Sequence, residues 1–329
     1  MVGEDGPTVT DPLPFRTLAP WLRESFGMPV YRVALDAGST CPNRDGTKGL
    51  GGCTYCDVEG SGTGALRGGA ELEEQLLLGL KRIERRKRTP DESIGAIAYL
   101  QSYTNTYVDI ARLDEVLSVL DPYLEEPISC LSVSTRPDCL SDETLQRLAQ
   151  VARRVPVWVE LGLECANDEV LQQINRLHTV ADFEDAVARV HAAGLSAVGH
   201  AILGLPGDGR EGARHTAEVL ARSGVAGVKA HHLMVLKRTQ MAHAWRAGEL
   251  DVLTCEEYVE WLADFVERLR PDQVLHRLTG DSPAENLLAP RWGVNKNRVR
   301  ESLADCLRQR DTTQGTLCSP SWSSGLDNA

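Results

Sequence analysis

Residues 41–56 read CPNRDGTKGLGGCTYC, so one glycine-rich loop holds three of the nine cysteines in the chain. Cys53 and Cys56 form a Cys-x-x-Cys pair, which lets two thiolates converge on one centre, and Cys41 brings a third from the start of the loop. Soft thiolates select zinc or iron–sulfur centres. Structural zinc requires four ligands, and no fourth cysteine or histidine lies at zinc-finger spacing. We therefore predict an iron–sulfur cubane on Cys41, Cys53 and Cys56, with one iron open.

Three other interpretations of this loop stay open: cysteines that only pack, a redox-active Cys-x-x-Cys, and zinc completed by a distant histidine. The N-terminus, residues 1–14, is polar and lacks the basic and apolar regions of a signal peptide. We therefore predict a cytoplasmic protein whose cysteines do not form a disulfide framework. Six cysteines lie outside the loop with no close pair among them: Cys130, Cys139, Cys165, Cys255, Cys306 and Cys318.

The composition is that of a soluble globular protein, with 42% hydrophobic and 25% charged residues in a chain of 329. The formal net charge of -12 argues mildly against a protein whose main task is to grip phosphate backbones, although a local basic groove stays possible. No apolar run approaches the roughly 20 residues that span a bilayer, so we expect no membrane partner.

Short apolar runs alternate with longer amphipathic stretches on both sides of the loop, which predicts six consecutive βα units. Such units imply a parallel sheet with right-handed crossovers. The strand candidates are 31–36, 94–101, 128–134, 157–163, 196–203 and 227–235, and the helix candidates between them are 71–88, 110–120, 142–153, 182–193 and 211–223. Ser141 suits a helix N-cap, and Gly194 and Gly224 follow predicted helix ends.

The fold class predicted from this pattern is α/β, a partial (βα)6 TIM-like barrel, with a doubly wound open sheet as the alternative. We predict an N-terminal extension over residues 1–30 and the barrel with its cysteine loop over 31–240. Residues 241–311, with helices near 255–270 and 296–310 and a strand at 274–278, form a C-terminal extension that closes the open side. The Ser/Thr/Gly-rich residues 312–329 are predicted to be disordered.

The loop resembles the cluster loop of radical S-adenosylmethionine (SAM) enzymes, with Tyr55 as the aromatic residue usual before the last cysteine. Its long cysteine spacing and Cys-Pro opening resemble the branch that contains the Elongator catalytic subunit. Together with STRPDCL (134–140), WVELGLE (158–164) and LPGDG (205–209), the loop resembles most closely the bacterial radical SAM proteins of the YhcC type. This resemblance, which covers residues 31–292, implies a [4Fe-4S] cluster and SAM as cofactors and favours the barrel.

The resemblance also implies cofactor contacts at the C-terminal ends of the strands, where barrel enzymes keep their sites. The turn at Gln101 corresponds to one that offers backbone groups to the methionyl amine, although a polar turn is common to any βα loop. Ser134 stands where related enzymes often carry a carboxylate for the methionyl group. Arg136 is assigned to the cofactor as well, with a buried ion pair as its alternative.

The fourth strand places Glu160 and Glu164 on one face by the period of two, and Arg176 follows 12 residues after Glu164. This spacing resembles that of oxygen-independent coproporphyrinogen oxidase-like enzymes. There the first side chain binds the ribose hydroxyls and the arginine binds the cofactor carboxylate, which suits their chemistry. A structural Glu–Arg bridge is the alternative. Gly204 resembles the backbone strip that meets adenine, but glycine is equally a common turn residue.

The sixth strand carries Lys229, His231 and His232. Because side chains alternate along a strand, Lys229 and His231 share one face, and we predict these two as catalytic residues toward the substrate. His200 on the fifth strand is interpreted as a core histidine.

The chemistry implied by the resemblance is reductive cleavage of SAM to a 5′-deoxyadenosyl radical that abstracts a hydrogen atom from an unidentified substrate. The electron comes from a donor such as flavodoxin or ferredoxin. Modification of a tRNA nucleoside is one alternative, by analogy with the Elongator branch, and nucleic acid is therefore a possible partner that no sequence feature indicates. A non-catalytic zinc-thiolate binding module is the alternative of another class.

Overall fold

Seven parallel strands form one sheet in the computed structural model, which describes residues 12–57 and 71–322. Neighbours in the sheet follow chain order without a reversal, as a barrel requires and a doubly wound sheet does not. The α/β partial-barrel prediction is therefore confirmed, with seven strands instead of six. The strands are β1 (Val30–Leu35), β2 (Gly95–Leu100), β3 (Ile128–Thr135), β4 (Val157–Glu164), β5 (Ser196–Leu203), β6 (Gly227–His232) and β8 (Val274–Arg277). A separate antiparallel pair consists of β7 (Val235–Leu236) and β9 (Leu287–Ala289).

Ten α-helices connect and cover these strands in the described ranges. Most of them bury an apolar face on the outside of the sheet, so strands β2, β3 and β4 are buried along their whole length. The helices are α1 (Leu18–Phe26), α2 (Leu72–Glu84), α3 (Ile110–Leu120), α4 (Asp142–Val151), α5 (Asp168–Gln173), α6 (Val180–Ala192), α7 (Gly209–Arg222), α8 (Gln240–Ala247), α9 (Cys255–Arg268) and α10 (Lys296–Gln309). None of them combines the length and apolar character needed to cross a bilayer.

The two faces of the sheet are chemically different because of the period of two. On β4, Val159 and Leu161 join the main core under the outer helices, whereas Glu160 and Gly162 point to the inside of the barrel. The lower part of the inside is filled by a second apolar cluster, to which α1 contributes Leu18. The N-terminal extension thus plugs the bottom of the barrel and leaves the C-terminal strand ends open.

The predicted C-terminal extension contributes the seventh strand, β8, which pairs in parallel with β6. The side chain of Arg32 on β1 donates from Nη2 to the carbonyl of His276 on β8 at 3.2 Å, so the first and last strands face each other across the curled sheet. Helix α9 packs against both α7 and α10. Asp264 on α9 accepts hydrogen bonds from Arg210, Arg214 and Arg310, which hold these three helices together.

The prediction of disorder for residues 312–329 is wrong for the part that the structure describes. Gln314 is buried, and its Nε2 donates to the carbonyls of Arg270 and Gln273 at 2.7 Å each. Its backbone N–H donates to the carbonyl of Pro14 at 2.9 Å. One polar side chain that satisfies buried carbonyls anchors a segment whose composition alone indicates disorder. Residues 323–329 lie outside the described residues.

Candidate functional site

A cavity of about 550 Å³ opens at the C-terminal ends of the strands, a size typical of small-molecule and cofactor sites. Cys41, Cys53 and Cys56 all line it. So do nine of the other predicted site residues: Tyr55, Gln101, Ser134, Arg136, Glu160, Glu164, Arg176, Lys229 and His231. Gly204 does not line it; its φ of +91° and the side chains of Leu253 and Leu233 beside it give a structural reason for glycine there.

The cysteine loop presents its sulfurs to nitrogen donors. Asn43 Nδ2 and Arg176 Nη1 lie 3.7 Å and 3.8 Å from the sulfur of Cys53, and Arg44 Nη2 lies 3.3 Å from that of Cys56. Burial, together with the neighbouring Cys53, raises the pKa of Cys56 to about 11, although Arg44 opposes the rise. A bound metal centre offsets such a penalty because it binds the thiolate form. Three thiols that share one cavity with N–H donors fit an iron–sulfur cluster.

The same three sulfurs do not surround a position for a single ion. Among the described residues, no group of three Cys, His, Asp or Glu side chains is close enough to bind one metal ion. Four irons occupy more space than one ion, and the sulfurs that hold them lie farther apart.

Arg176 connects this loop with the end of β4. Its Nη2 lies 3.2 Å from Glu164 Oε1 and donates to the carbonyl of Gly162 at 3.1 Å. A Cβ at Gly162 would lie 2.4 Å from both partners, so only glycine leaves room for the pair. Burial lowers the pKa of Arg176, but Tyr55, Glu164 and Cys53 outweigh it and hold the pKa well above its usual value. The Nε of Arg176 is buried and has no partner in the part of the chain that the structure describes.

Arg136 forms a buried ion pair, which the sequence analysis gave as the alternative to a cofactor contact. Its Nε and Nη2 donate to the two oxygens of Asp138 at 2.9 Å and 2.8 Å, and Nη2 also donates to the carbonyl of Arg176. Its Nη1 is buried and unpartnered among residues 12–57 and 71–322. One edge of the guanidinium is therefore structural and the other is available to a ligand.

Glu160 lies at the cavity floor in a polar network built by five strands. Its oxygens accept from Ser132 at 2.6 Å and Ser134 at 3.2 Å, contact His200 Nε2 at 2.9 Å, and pair with Lys229 Nζ. The ammonium of Lys229 also donates to the hydroxyl of Tyr99 at 3.0 Å. Burial alone would raise the pKa of Glu160, but Lys229 and His200 hold it well below its usual range. Glu160 is thus fully engaged by protein groups.

The sixth strand alternates as predicted. Lys229 and His231 line the cavity. His232 also touches the cavity, but its ring packs against those of Tyr258 and Trp292, with centroid distances of 5.5 Å and 4.2 Å. Burial lowers the pKa of Lys229 to about 7, although Glu160 opposes this shift. His231 is only partly buried, and its Nε2 has no partner within the described ranges.

Polar residues that line this cavity and that sequence reasoning did not assign to the site include Arg44, Tyr99, His200 and Arg277. Arg44 lies inside the quoted cysteine loop, so its position was a usable signal. His200 was interpreted as a core histidine, yet it contacts both Glu160 and the cavity. Arg277 lies on β8, which the sequence assigned to an extension, so nothing in the local pattern connected it to the site.

Comparisons with known proteins agree with this geometry. The sequence profile of the radical SAM superfamily matches residues 40–220, and the profile of the radical SAM C-terminal domain matches residues 225–309. The chain belongs to the radical SAM superfamily. It is 37% identical over 302 residues to the uncharacterised protein YtqA of Bacillus subtilis, covering 92% of each chain. It is 34% identical over 276 residues to protein YhcC of Escherichia coli, covering 84% of this chain and 86% of that one.

A solved structure shares the fold of this radical SAM chain. Elp3 of Methanocaldococcus infernus superposes with a TM-score of 0.65 at 19% sequence identity, covering 88% of this chain and 64% of that one. The predicted membership of the Elp3-like, YhcC-type branch is confirmed. Radical SAM enzymes bind a [4Fe-4S] cluster and SAM, and these are the cofactors of this enzyme. The alternative of a non-catalytic zinc module is therefore wrong.

Proposed function

We propose that Cys41, Cys53 and Cys56 hold the [4Fe-4S] cluster and that SAM binds beside it, between the cysteine loop and the end of β4. The observation that carries this proposal is the position of Arg176, whose guanidinium reaches both the Cys53 sulfur and the Glu164 carboxylate. A carboxylate-binding group beside a cluster ligand is what an amino-acid cofactor at an open iron requires. Tyr55, between two of the cysteines, forms part of the cavity wall at the same point.

The remaining cofactor contacts follow from the donors and acceptors that stay available. Arg176 Nε and Arg136 Nη1 are buried donors without partners in the described residues, and together they suit the methionyl carboxylate. Glu164 is proposed to accept from the ribose hydroxyls while it keeps its contact with Arg176. Gln101 and Ser134, which line the cavity, are proposed to contact the methionyl amine. Glu160 is proposed to support Ser134 from below instead of touching the cofactor.

When bound, the cluster supplies one electron that cleaves SAM to methionine and a 5′-deoxyadenosyl radical, which takes a hydrogen atom from the substrate. The chain positions the reactants and keeps water out of an otherwise polar cavity. Lys229 is proposed to fix the charge of Glu160, and His231 to face the substrate directly. The electron is proposed to come from an external carrier such as flavodoxin or ferredoxin.

The test uses anaerobically reconstituted protein, reduced with dithionite and mixed with SAM, and detects methionine and 5′-deoxyadenosine by mass spectrometry. We expect both products from the wild type and from Cys255→Ala, whose thiol lies at the start of α9 outside the cavity. Cys53→Ala is expected to lose the cluster, with about four irons per chain falling below about one, and to form neither product. Retained cleavage in Cys53→Ala would contradict the ligand assignment. The same assay with total tRNA added tests the tRNA alternative, which stays a prediction.

A further inference from the structure

The cavity has two chemically distinct ends, and they come from the two matched domains. Residues 40–220 supply the cysteine loop and Arg176, whereas residues 225–309 supply β6 and β8 with Lys229, His231 and Arg277. The first end is assigned to the cofactors by the proposed function. The second end has no role in holding the cluster or the methionyl group, so its side chains are available to the substrate.

Arg277 is the cation at this second end that the protein does not neutralise. It lines the cavity from β8 and stands directly opposite Lys229 in the strand register. Lys229 pairs with Glu160, whereas the side chain of Arg277 makes no hydrogen bond or ion pair with any residue in 12–57 or 71–322. Asp281, a carboxylate at the rim of the cavity, pairs with Lys296 at the surface and is 56% exposed. A half-buried guanidinium that lines the cavity and has no side-chain partner there can pair with an anion that enters the cavity.

His231 lies next to this guanidinium and adds a second unused polar group. Its Nε2 is buried and unpartnered in the described part of the chain, and its ring centroid lies 5.9 Å from that of His200. Burial has the largest effect on the pKa of His231 and the charge of Arg277 the next largest, and both lower that pKa. Because Arg277 disfavours a second positive charge, a neutral His231 is suited to donate one hydrogen bond to an anion that the guanidinium binds.

An anion bound by Arg277 would be distinct from the carboxylate of SAM. Arg176 follows β4, whereas Arg277 lies on β8, with β5 and β6 between them in the sheet. Three strand spacings correspond to about 14 Å measured along the sheet. Arg176 already contacts Glu164 and the Gly162 carbonyl at the end of β4, so a carboxylate held beside Cys53 lies on the β4 side of the cavity and not at β8.

We infer that Arg277 and His231 bind an anionic oxygen group, a carboxylate or a phosphate, of the substrate on which the radical acts. The inference rests on the proposed function for the position of SAM. It assigns substrate recognition to the C-terminal domain, and it identifies the substrate as an anion held at the β6–β8 end of the cavity.

The experiment uses the reconstituted holoenzyme saturated with SAM, so that Arg176 and Arg136 are already occupied. Inorganic phosphate and isotope-labelled acetate are the two probes, and their NMR line widths report binding at constant ionic strength set with chloride. We expect saturable broadening of at least one probe by the wild type. Phosphate alone would indicate a phosphorylated substrate, and acetate alone would indicate a carboxylate substrate.

Arg277→Gln is expected to weaken the binding of that probe about tenfold, as the loss of one charged hydrogen-bonding partner implies. Arg277→Lys should bind the probe with an affinity between those of the wild type and Arg277→Gln, because lysine keeps the positive charge but loses the planar guanidinium. His231→Gln should also weaken binding, whereas Arg300→Gln, which removes an exposed arginine on α10, should bind as the wild type does.

Two outcomes would overturn the inference: no saturable binding of either probe to the wild type, or equal binding by the wild type and Arg277→Gln. An equal loss of SAM affinity and probe affinity in Arg277→Gln would also overturn it, because Arg277 would then belong to the cofactor site. SAM cleavage by the same wild-type sample is measured in parallel. Absent cleavage with intact anion binding would count against the proposed function alone.

Discussion

Arg176 Nη1 lies 3.8 Å from the sulfur of Cys53, although 123 residues separate the two in sequence. The same guanidinium contacts Glu164 at 3.2 Å, so one side chain bridges the predicted cluster loop and the predicted ribose site. The Glu–Arg bridge and the cofactor contact are therefore compatible, since the bridge leaves Nε unpaired among the described residues. The contact with Glu164 orients the guanidinium of Arg176, and its Nε can donate to a ligand.

Replacing Arg176 by lysine should weaken SAM binding about tenfold, because the ammonium keeps the charge but loses the planar fork that matches a carboxylate. The cluster should remain, with iron content unchanged. Binding of SAM to the reconstituted variant, measured by equilibrium dialysis, checks this expectation. Arg189→Lys on α6, whose side chain pairs with Asp142 at the surface, is the matched control. Unchanged SAM affinity in Arg176→Lys would make Arg176 a structural residue.

The cysteine loop is held in place by Asn175, which lies in the left-handed region with φ of 55°. Its Nδ2 donates to the carbonyls of Gly52 at 2.8 Å and Leu50 at 3.2 Å. In return, Asn43 Nδ2 donates to the carbonyl of Asn175 at 2.6 Å. These three bonds join the segment after α5 to the loop that carries the cysteines.

Asn175→Gly should accelerate loss of iron to a chelator by several-fold, because it removes both side-chain bonds while tolerating the backbone conformation. Asn175→Ala should lose iron faster still, because alanine tolerates the positive φ of this position less well than either asparagine or glycine does. The rate of iron release under anaerobic conditions is the measurement. Equal rates in the wild type and Asn175→Gly would show that the backbone, not the side chain, holds the loop.

The period of two along β4 was enough to predict that Glu160 and Glu164 share the inner face. It was not enough to predict their different surroundings, because those depend on side chains far away in sequence. Lys229 reaches Glu160 only because β4, β5 and β6 are neighbours in the sheet. For this reason the local sequence did not show that Glu160 pairs with Lys229, and Arg277 was missed for the same reason.

Sequence pattern located the six barrel strands well, because each is a short apolar run between amphipathic helices. It failed where an element is short or lies outside the alternation. Helix α1 and helix α8 were not predicted, and β8 was predicted as part of an extension although it joins the main sheet. The polar composition of the C-terminal segment predicted disorder, but the side-chain amide of Gln314 donates to buried carbonyls and so orders the segment.

The buried pair of Lys229 and Glu160 should show strong coupling in a double-mutant cycle. Lys229→Met leaves Glu160 without its ammonium partner and should lower the free energy of unfolding by about 3–5 kcal/mol. Adding Glu160→Gln should recover part of that loss. The exposed pair Arg154 and Asp121, with N–O distance 2.8 Å, is the matched control and should couple by less than about 1 kcal/mol. Additive losses at Lys229 and Glu160, measured by urea unfolding, would contradict the pairing.

His178 should make the free energy of unfolding depend on pH between 5 and 7. Its side chain is 4% exposed, and neither ring nitrogen has a partner among the described residues. Burial, with Arg176 and Arg136 nearby, lowers its pKa to about 2. The unfolded chain, with a pKa of about 6.5, takes up a proton in this window and the folded chain does not. The contribution of neutral His178 to the free energy of unfolding is therefore complete above the pKa that the histidine has in the unfolded chain, and it is lost progressively as the pH falls below that value.

Each proton that the unfolded chain binds and the folded chain does not adds a slope of about 1.4 kcal/mol per pH unit to the free energy of unfolding. His232, which is buried, and His231 and His276, which are partly buried, also have lowered pKa values and add to the slope in the same direction. His178→Leu should thus reduce the slope by about one proton without abolishing it, in urea unfolding of the cluster-free chain at pH 5, 6 and 7. His215→Gln, at an exposed position on α7, should leave the slope unchanged. An unchanged slope in His178→Leu would mean that His178 is protonated in the folded protein, held by Asp138 against its two neighbouring arginines.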